Sequence, residues 1–409
     1  MTLPLPSPSE PNAAETPVRR SVAEVALAVI SGELISANEL ALLFSHVTDV
    51  QQLAFALNVA LQQDLTENPQ HNTKRITPKL LNYYAYHKKD TRYRTFQIPK
   101  RTRGEFRTIK APDHGLLRLQ RLLLRCLTAA FTTSHPASHG FVPGRSVLTN
   151  ALPHAGHRFV LNLDLRDFFP STSVGRVMAV LQLPPFSLAK EGAYLVANLC
   201  CDQGSLPQGA PTSPLLTNAV CQRLDRRLQQ LATRHRCTYT RYADDLTFSC
   251  NRPVFRAAFH QELNATLAAE GYQQNEQKQR LQTPETRQEV TGIVVNDRPN
   301  VPREYVRQIR AMMHNWETKG YEAASVTLRQ HYSTGKVETE KGKVPKLERV
   351  LAGKIAYLGM VRGKADPCYL NLKTKLGFCV ENRISIDLKV TLRIWKEQGI
   401  NAAIASGII

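Results

Sequence analysis

The sequence predicts an α+β fold with a small helical extension at its N-terminus. Strand-like runs such as "RFVLNLDL" (158–165) are interspersed with helical stretches such as "LLRLQRLLLRCLTAAF" (116–131). After Pro302 the pattern becomes helical. With 409 residues, the chain is long enough to form two or three domains around a substantial core.

Residues 18–66 are predicted to form an acidic helical extension that follows a flexible leader, residues 1–17. The extension contains three helix-start signals, in each of which a hydroxyl residue is followed three positions later by Glu or Gln. These signals are Ser21 with Glu24, Ser36 with Glu39, and Thr48 with Gln51. We expect the extension to pack on its own chain or on another protein, and we expect deletion of residues 1–66 to leave the function of the remaining chain largely intact.

The charge of the chain is unevenly distributed. Residues 1–68 carry eight acidic and two basic side chains, although the whole chain has a net charge of +19 and an isoelectric point near 9.7. Lysines and arginines that neutralise phosphates are favoured by counterion release, so the basic remainder indicates a polyanionic partner such as nucleic acid. A surplus of lysine that merely keeps the protein in solution is the alternative.

The sequence predicts neither a membrane-spanning segment nor a secretory signal. No uninterrupted apolar run approaches the roughly 20 residues that cross a bilayer, and the start of the chain lacks the basic and apolar stretches of a signal peptide. The eight cysteines are scattered without Cys-x-x-Cys spacing, which favours reduced thiols over zinc ligands. We therefore expect a cytoplasmic protein with no membrane partner.

Three segments between residues 93 and 165 are predicted as regular elements. The segment "YRTFQIPKRTRGEFRTIKAP" (93–112) alternates apolar and basic residues about Gly104, which is typical of a basic β-hairpin. Segment 116–131 presents apolar residues on a wide helical face. In segment 158–165, leucines occupy one face of a strand and the other face carries Asp164.

The helical region after Pro302 is basic and contains interleaved aromatic residues. Residues 301–409 have 19 basic and 10 acidic side chains. This composition suits a domain that holds RNA or DNA, although aromatic residues on helices more often pack in a core. We therefore assign most of the following six to packing: Tyr305, Trp316, Tyr321, Tyr332, Tyr357 and Trp395.

The stretch "CTYTRYADDLTFSC" (237–250) places two adjacent carboxylates between two alternating runs. We expect strands at 238–243 and 246–250, with Asp244 and Asp245 forming the link at the hairpin tip. Adjacent aspartates repel each other, and a divalent cation would relieve that repulsion by binding hard oxygen ligands. A pair of solvated turn aspartates is the alternative.

Asp164 supplies a third carboxylate from a separate strand and can lie beside this hairpin. Three carboxylates from two strands suit a two-metal phosphoryl-transfer site. One ion lowers the pKa of an attacking hydroxyl, and the other neutralises the leaving pyrophosphate. The expected cofactor is a pair of Mg²⁺ ions, for which Mn²⁺ could substitute.

Together with Asp164, the stretch Tyr242-Ala243-Asp244-Asp245 resembles the palm of reverse transcriptases, and further blocks in the same order resemble the bacterial retron type. These blocks are "IPKRTRGEFRTIKAP" (98–112), "HGFVPGRSVLTNALPH" (139–154), "LPQGAPTSPLLTN" (206–218), "NEQKQRLQTPETRQEVTGIVVN" (275–296) and "VPREYVRQIR" (301–310). The resemblance covers about residues 75–395.

The resemblance implies a right-hand polymerase fold. Its parts would be fingers (75–160), a palm with an antiparallel sheet that also holds some fingers elements (161–298), and a basic helical thumb (299–409). The acidic extension lies outside the match.

The resemblance also implies roles for five residues around the carboxylates. The metal ligands would be Asp164, Asp244 and Asp245, assisted by the backbone carbonyl of Leu165. Lys278 would act as the general acid that protonates the pyrophosphate leaving group.

A second set of residues would bind the incoming deoxynucleotide. Phe169 would be an aromatic gate, because a rigid ring beneath the sugar clashes with a ribose 2′-hydroxyl; its rival is Phe168, and core packing is the alternative. Gln208 would lie beside the nucleotide, and Gly209 would permit close backbone approach. The residues that would neutralise the triphosphate are Lys100 and Arg107 on the basic hairpin.

Two short elements resemble retron elements that recognise a cognate structured RNA. The segment Asn150-Ala151-Leu152-Pro153-His154 resembles the Asn-Ala-x-x-His element, and Val290-Thr291-Gly292 resembles the Val-Thr-Gly element. The implied RNA-binding residues are Asn150, His154, Val290, Thr291 and Gly292.

The function that this resemblance implies is RNA-templated DNA synthesis on a dedicated noncoding RNA, from deoxynucleoside triphosphates. The product would be branched, multicopy single-stranded DNA, used in antiphage defence with an effector or toxin protein. The alternatives are a group II intron-like or other defence-associated reverse transcriptase and, from another class, a noncatalytic RNA-binding scaffold.

Overall fold

A computed structural model describes residues 20–71, 74–99, 104, 106–334 and 345–398, and its mixture of helices and antiparallel sheets confirms the predicted α+β class. The predicted leader, residues 1–17, lies outside the described residues. The chain divides into two compact units, of which the first comprises the chain up to Ser134 with Asp167–Gln222, and the second His135–Arg166 with everything from Arg223 onward.

The N-terminal extension forms three helices, α1 (Val22–Ile30), α2 (Ala37–Ser45) and α3 (Val50–Glu67). The predicted capping boxes at Ser21 and Ser36 are confirmed. The third predicted start, at Thr48, is wrong by one residue. The Asp49 carboxylate caps α3 by accepting a hydrogen bond from the Gln52 backbone N–H at 2.8 Å. The Thr48 N–H donates instead to the Gln52 side chain.

These helices pack on their own chain, which is one of the two outcomes that the sequence predicted. The residues Leu53, Leu57 and Leu61 of α3 share a core with leucines of α5 (His114–Ala130) and with α8 (Lys190–Cys200). The connection between α2 and α3 lies close against α8, because a Cβ on Gly192 of α8 would be 2.2 Å from the Val47 carbonyl oxygen. The extension is therefore built into the core of the first unit.

The rest of the first unit surrounds this core. It contains the predicted basic hairpin, whose strands pair antiparallel from Tyr93↔Pro112 to Pro99↔Phe106. Gly104 has a φ of +90°, which a residue with a side chain rarely adopts. The remaining elements are α4 (Pro78–Asn82), a π-helical turn (Tyr83–His87), β1 (Tyr93–Pro99), β2 (Phe106–Pro112), α7 (Val174–Leu181) and the start of α9 (Ser213–Arg234).

The second unit is built on a four-stranded antiparallel sheet of β3 (Phe159–Asp164), β4 (Thr238–Tyr242), β5 (Asp245–Cys250) and β6 (Arg280–Gln282). The strand order is β4-β5-β3-β6. The alternation in the sequence places Leu161 and Leu163 in the core on one face, and Phe248 is fully buried beside them on the paired strand.

The C-terminal part of the second unit is helical, as predicted. Its core contains Trp316, and Tyr305, Tyr321 and Tyr357 pack against it. Trp395 is exposed, and the side chain of Tyr332 lies outside the described residues. The helices and short strands of this part and of the sheet's surroundings are α6 (Val147–Ala151), α10 (Ala257–Ala269), β7 (Glu289–Val290), β8 (Ile293–Val294), α11 (Arg303–Thr334, interrupted at Gly320), α12 (Leu347–Arg362) and α13 (Pro367–Gln398).

Over the described ranges, no helix has both the length and the apolar character required to cross a bilayer.

Candidate active site

Strand register brings Asp164 and Asp245 together at one end of the sheet. Asp164, the last residue of β3, lies directly opposite Asp245, the first residue of β5. Side chains that face each other in this way have Cβ atoms about 4.5–5.5 Å apart. The sequence predicted a link formed by Asp244 and Asp245, but Tyr242 pairs with Asp245, so the two-residue link is Ala243-Asp244. The shift arises because Ala243 adopts a left-handed conformation with a φ of 57°.

Backbone hydrogen bonds fix Asp244 beside the same strand end. The Leu165 N–H donates to the Asp244 carbonyl at 2.9 Å, and the Asn275 N–H donates to the Asp164 carbonyl at 2.7 Å. The three predicted carboxylate residues therefore lie next to one another, as the sequence required. Leu165 is buried beside them, and a role for its carbonyl stays a prediction.

Lys278 joins this group from a short 3₁₀ helix, Glu276–Lys278. Its Nζ lies 2.9 Å from Asp164 Oδ1, and the Asp164 side chain is only 12% exposed. Burial acts to lower the pKa of Lys278, but the hydrogen bond to Asp164 and the charges of Asp244 and Asp245 outweigh burial and raise that pKa. Lys278 is therefore a protonated ammonium group held against the carboxylates.

The pKa of Asp245 is shifted by its burial and by the charged groups around it. Desolvation and the charges of Asp244 and Asp164 raise the pKa of Asp245 to about 7, opposed by Lys278 and Arg280, although the Asp245 side chain still reaches solvent. Burial and, after it, the two neighbouring carboxylates raise this pKa, and an added cation would offset the repulsion among the three carboxylates.

The donor set fits a divalent cation such as Mg²⁺, because it consists of hard carboxylate oxygens with excess negative charge. The residues that would hold the cation are Asp164, Asp244 and Asp245. Among the described residues, the side chains of His, Cys, Asp and Glu do not form a group of three or more that is placed to hold a metal ion. At this site, one oxygen of Asp164 accepts a hydrogen bond from Lys278.

Comparison with known proteins identifies the family. The profile of the family "Reverse transcriptase (RNA-dependent DNA polymerase)" matches residues 98–295. The Retron Ec86 reverse transcriptase of Escherichia coli is 36% identical over 241 residues, which are 58% of this chain and 73% of that protein. The chain belongs to the retron reverse transcriptases. This membership confirms the predicted fold class, whereas the limits of fingers, palm and thumb stay predictions.

Two further matches complete the comparison. The Retron Mx162 reverse transcriptase of Myxococcus xanthus is 40% identical over 275 residues, 58% of this chain, and the match spans only 55% of that relative's length. Among solved structures, a telomerase of Candida albicans in complex with a TWJ fragment of telomeric RNA is 11% identical with a TM-score of 0.37, covering 72% of this chain and 64% of the telomerase.

The gate residue predicted from the retron resemblance lies in the first unit. Phe169 is half-buried and packs against the core, whereas its rival Phe168 is 5% exposed, with 5.4 Å between their ring centroids. The ring that retains an accessible surface is therefore Phe169. Its contact with a nucleotide stays a prediction.

Three other predicted nucleotide-binding residues of this retron-family chain, Arg107, Gln208 and Gly209, also lie in the first unit. The Gln208 carbonyl accepts a hydrogen bond from the Lys110 N–H at 2.8 Å. Gly209 has a φ of 130°, and a Cβ there would lie 2.7 Å from the Lys110 carbonyl oxygen. The close approach at Gly209 is thus to strand β2. Arg107 is exposed on the same strand, and Lys100 lies outside the described residues.

The two elements that resemble retron RNA-recognition elements contact each other in the second unit. Thr291 and Gly292 form the two-residue turn between β7 and β8, with φ values of 47° and 85°. The Asn150 amide lies 3.4 Å from the Thr291 hydroxyl, which in turn donates to the Val147 carbonyl. Thr291 is β-branched and such residues rarely adopt a left-handed conformation, so its hydrogen bonds to Asn150 and Val147 help to hold it there.

Three of the five predicted RNA-binding residues are buried. Asn150, His154 and Val290 are each 0% exposed, so their side chains offer no surface to a ligand in this arrangement. The two ring nitrogens of His154 hydrogen-bond to the hydroxyls of Ser249 and Thr240. Thr291 is partly exposed and Gly292 is exposed. A role of these elements in RNA recognition stays a prediction, and it would act through the turn.

Sequence reasoning missed Arg241, which is fully buried behind the carboxylate turn. It forms a bidentate ion pair with the fully buried Asp225 of α9. The available signal was an arginine within an otherwise neutral alternating strand, directly before the Tyr-Ala-Asp-Asp stretch. Its partner could not be identified from one sequence, because several acidic residues are candidates.

Proposed function

We propose that this protein is an RNA-directed DNA polymerase that extends a DNA strand from deoxynucleoside triphosphates. The observation that supports it is the juxtaposition of Asp164, Asp244 and Asp245 with Lys278 at one end of the β3–β5 pair. Family membership supports the same reaction. Because the match spans about half of the length of the Mx162 relative, the activity of the whole protein is part of this proposal.

Each of these side chains has a proposed task. When bound, divalent cations would supply Lewis-acid stabilisation of the attacking and leaving oxygens. The three carboxylates would hold these cations at the strand end. Lys278 is protonated and positioned by Asp164, so it can donate a proton to the leaving pyrophosphate.

The proposed template is a dedicated structured noncoding RNA that is copied into branched, multicopy single-stranded DNA. Support comes from the resemblance of the Asn150–His154 and Val290–Gly292 elements to retron elements and from the net charge of +19. A role in antiphage defence with an effector protein belongs to this proposal. Binding of such an RNA should weaken steeply with added salt, because phosphate contacts release counterions; an affinity that is independent of salt contradicts the electrostatic part.

The test is incorporation of labelled deoxynucleotides by purified full-length protein on an RNA template with a DNA primer, in the presence of Mg²⁺. The Asp244→Asn variant should abolish incorporation. The Asp297→Asn variant is the matched control, since Asp297 is an exposed aspartate of the same unit, and it should retain the wild-type rate. Tight RNA binding without incorporation by the wild type would instead support the noncatalytic scaffold.

A further inference from the structure

Arg241 and Asp225 form an ion pair whose side chains are both 0% exposed. The guanidinium binds the carboxylate in two places, with Nη2 2.6 Å from Oδ2 and Nε 2.8 Å from Oδ1. Tyr239 donates a further hydrogen bond to Asp225 at 2.8 Å. A buried ion pair is weak evidence for stability, since apolar residues of similar volume often serve as well. Its placement requires another explanation.

The same guanidinium reaches the turn that carries Asp244. Nη1 of Arg241 donates to the Ala243 carbonyl at 3.2 Å, and Nη2 lies 3.1 Å from the Ser138 hydroxyl. Ala243 has a φ of 57°, which costs a non-glycine residue free energy and persists only where surrounding contacts impose it. Arg241 provides such a contact directly at the strained residue.

The loop before α6 closes the other side of the turn. The Arg241 N–H donates to the Ala137 carbonyl, and the His139 N–H donates to the Arg241 carbonyl, both at 2.7 Å. A Cβ on Gly140 would lie 2.4 Å from the Ala243 nitrogen, so only glycine allows the loop to approach this closely. Ala243 is therefore enclosed between Gly140 and the Arg241 side chain.

We propose that Arg241, oriented by Asp225, is a positioning residue that sets the left-handed Ala243 and thereby the placement of Asp244 and Asp245. Arg241 does not touch the reacting atoms. It acts through the turn, and the catalytic part of this inference rests on the proposed polymerase function. The rigid planar fork of arginine suits the task, because it binds Asp225 with one edge and still reaches Ala243.

The test compares Arg241→Lys with Tyr239→Phe. Lysine keeps the charge, but its single nitrogen cannot reproduce the bidentate pair with Asp225 together with the bond to the Ala243 carbonyl. Phenylalanine removes a bond to the same carboxylate without touching the turn. Two quantities are measured in the full-length protein: amide hydrogen exchange of the 238–250 peptide without added metal, and the single-turnover rate of nucleotide incorporation. The melting temperature of each variant is recorded beside them.

We expect Arg241→Lys to exchange faster within 238–250 and to lose incorporation by on the order of 100-fold, since small displacements of reacting groups have effects of that size. Tyr239→Phe should resemble the wild type in both measurements. Gly140→Ala, which leaves the ion pair intact, should act in the same direction as Arg241→Lys and replaces it if that variant does not fold.

If amide hydrogen exchange within 238–250 is as slow in Arg241→Lys and in Gly140→Ala as in the wild type, the positioning role is overturned. Equal losses in Arg241→Lys and Tyr239→Phe would also overturn it, because they would assign the effect to general destabilisation. A wild-type protein that incorporates no nucleotide refutes the proposed function alone, because exchange at the turn still decides whether Arg241 positions it.

Discussion

Variants of Lys278 distinguish two roles for this side chain at the carboxylate site, donation of a proton and neutralisation of charge. Its Nζ lies 2.9 Å from Asp164. We expect Lys278→Met to slow single-turnover incorporation by roughly 100-fold, within the range measured for general acids. Lys278→Arg should also be slow, because a guanidinium can pair with Asp164 but does not release its proton at ordinary pH.

Arg280 supplies the control for this pair of variants. Its charge also acts on Asp245, and its side chain is exposed on the neighbouring strand β6. Arg280→Gln should therefore alter the local charge but leave the incorporation rate within a few-fold of wild type. A wild-type rate for Lys278→Arg would show that Lys278 serves only as a counter-charge.

His154 makes the stability of the second unit dependent on pH. Burial, reinforced by the charges of His157 and His139, lowers the pKa of His154 to about 3. Because the folded pKa lies below that of the unfolded chain, near 6.5, the contribution is complete above about pH 6.5 and is lost as the pH falls toward 3. At pH 5 the loss is roughly 2 kcal/mol.

The measurement is the free energy of unfolding of wild type and His154→Gln at pH 7.5 and pH 5. The wild type should lose about 2 kcal/mol more than the variant across this interval, since glutamine has no proton to gain. Replacement of the exposed His87 by glutamine serves as the control for the substitution itself. A difference between wild type and His154→Gln that is constant with pH contradicts the expectation.

The strands of the sheet could be predicted because their apolar and polar residues alternate along the sequence, although most residues on both faces are buried in the fold. Strands β3, β4 and β5 appear close to where the sequence placed them. The turn was misplaced by one residue because nothing about alanine indicates a positive φ. Its conformation is imposed by Arg241 and Gly140, whose approach depends on residues distant in sequence.

Cys237 and Cys250 extend the register of the same hairpin by one pair. Thr238 lies opposite Ser249, so these cysteines face each other. The backbone N–H and C=O of Arg241 bond to the 137–139 loop and therefore point away from β5. Alternate residues of a strand point the same way, so the backbone groups at positions 239 and 237 also point away from β5. Such non-hydrogen-bonded pairs have Cα atoms about 4.5 Å apart, within the range of a disulfide.

Mild oxidation with hydrogen peroxide should therefore join Cys237 to Cys250, as the two thiols lose their hydrogens and the peroxide is reduced to water. A hydrogen bond from Cys237 lowers the pKa of Cys250 to about 7, which favours its reactive thiolate. Peptide mass spectrometry under non-reducing conditions detects the link, and Cys237→Ser should remove it. Oxidation of both thiols without a link between them would contradict the inferred spacing.

For the N-terminal extension, the sequence left open whether the helices pack on their own chain or on another protein. Arg125 of α5 binds Glu67 of α3 at 2.6 Å and lies 3.6 Å from Asp64. The acidic surface thus faces a basic helix of the same unit. Contacts between segments that are distant in the chain decide which helices share a core, and the residue pattern of one sequence does not reveal those contacts.

Removal of residues 1–66 should consequently destroy the first unit, contrary to the expectation from the sequence. The deletion strips Leu53, Leu57 and Leu61 from a core that contains fully buried leucines of α5. Each buried leucine contributes about 1.5–3 kcal/mol, so several together approach the roughly 5–15 kcal/mol by which a typical protein is stable. The truncated protein should aggregate or melt far below the wild type, and its incorporation activity should disappear with the fold.

A shorter deletion separates loss of the core from loss of the N-terminus itself. Removing residues 1–17 leaves α1, α2 and α3 and the Ser21 capping box intact, so the melting temperature and incorporation rate should match the full-length protein. The double substitution Leu53→Ala and Leu57→Ala should destabilise the full-length chain by several kcal/mol, since each buried leucine that becomes alanine costs about 2–5 kcal/mol. A soluble protein lacking residues 1–66 that melts and polymerises like the wild type would show that the helices are dispensable, despite the core they share with α5.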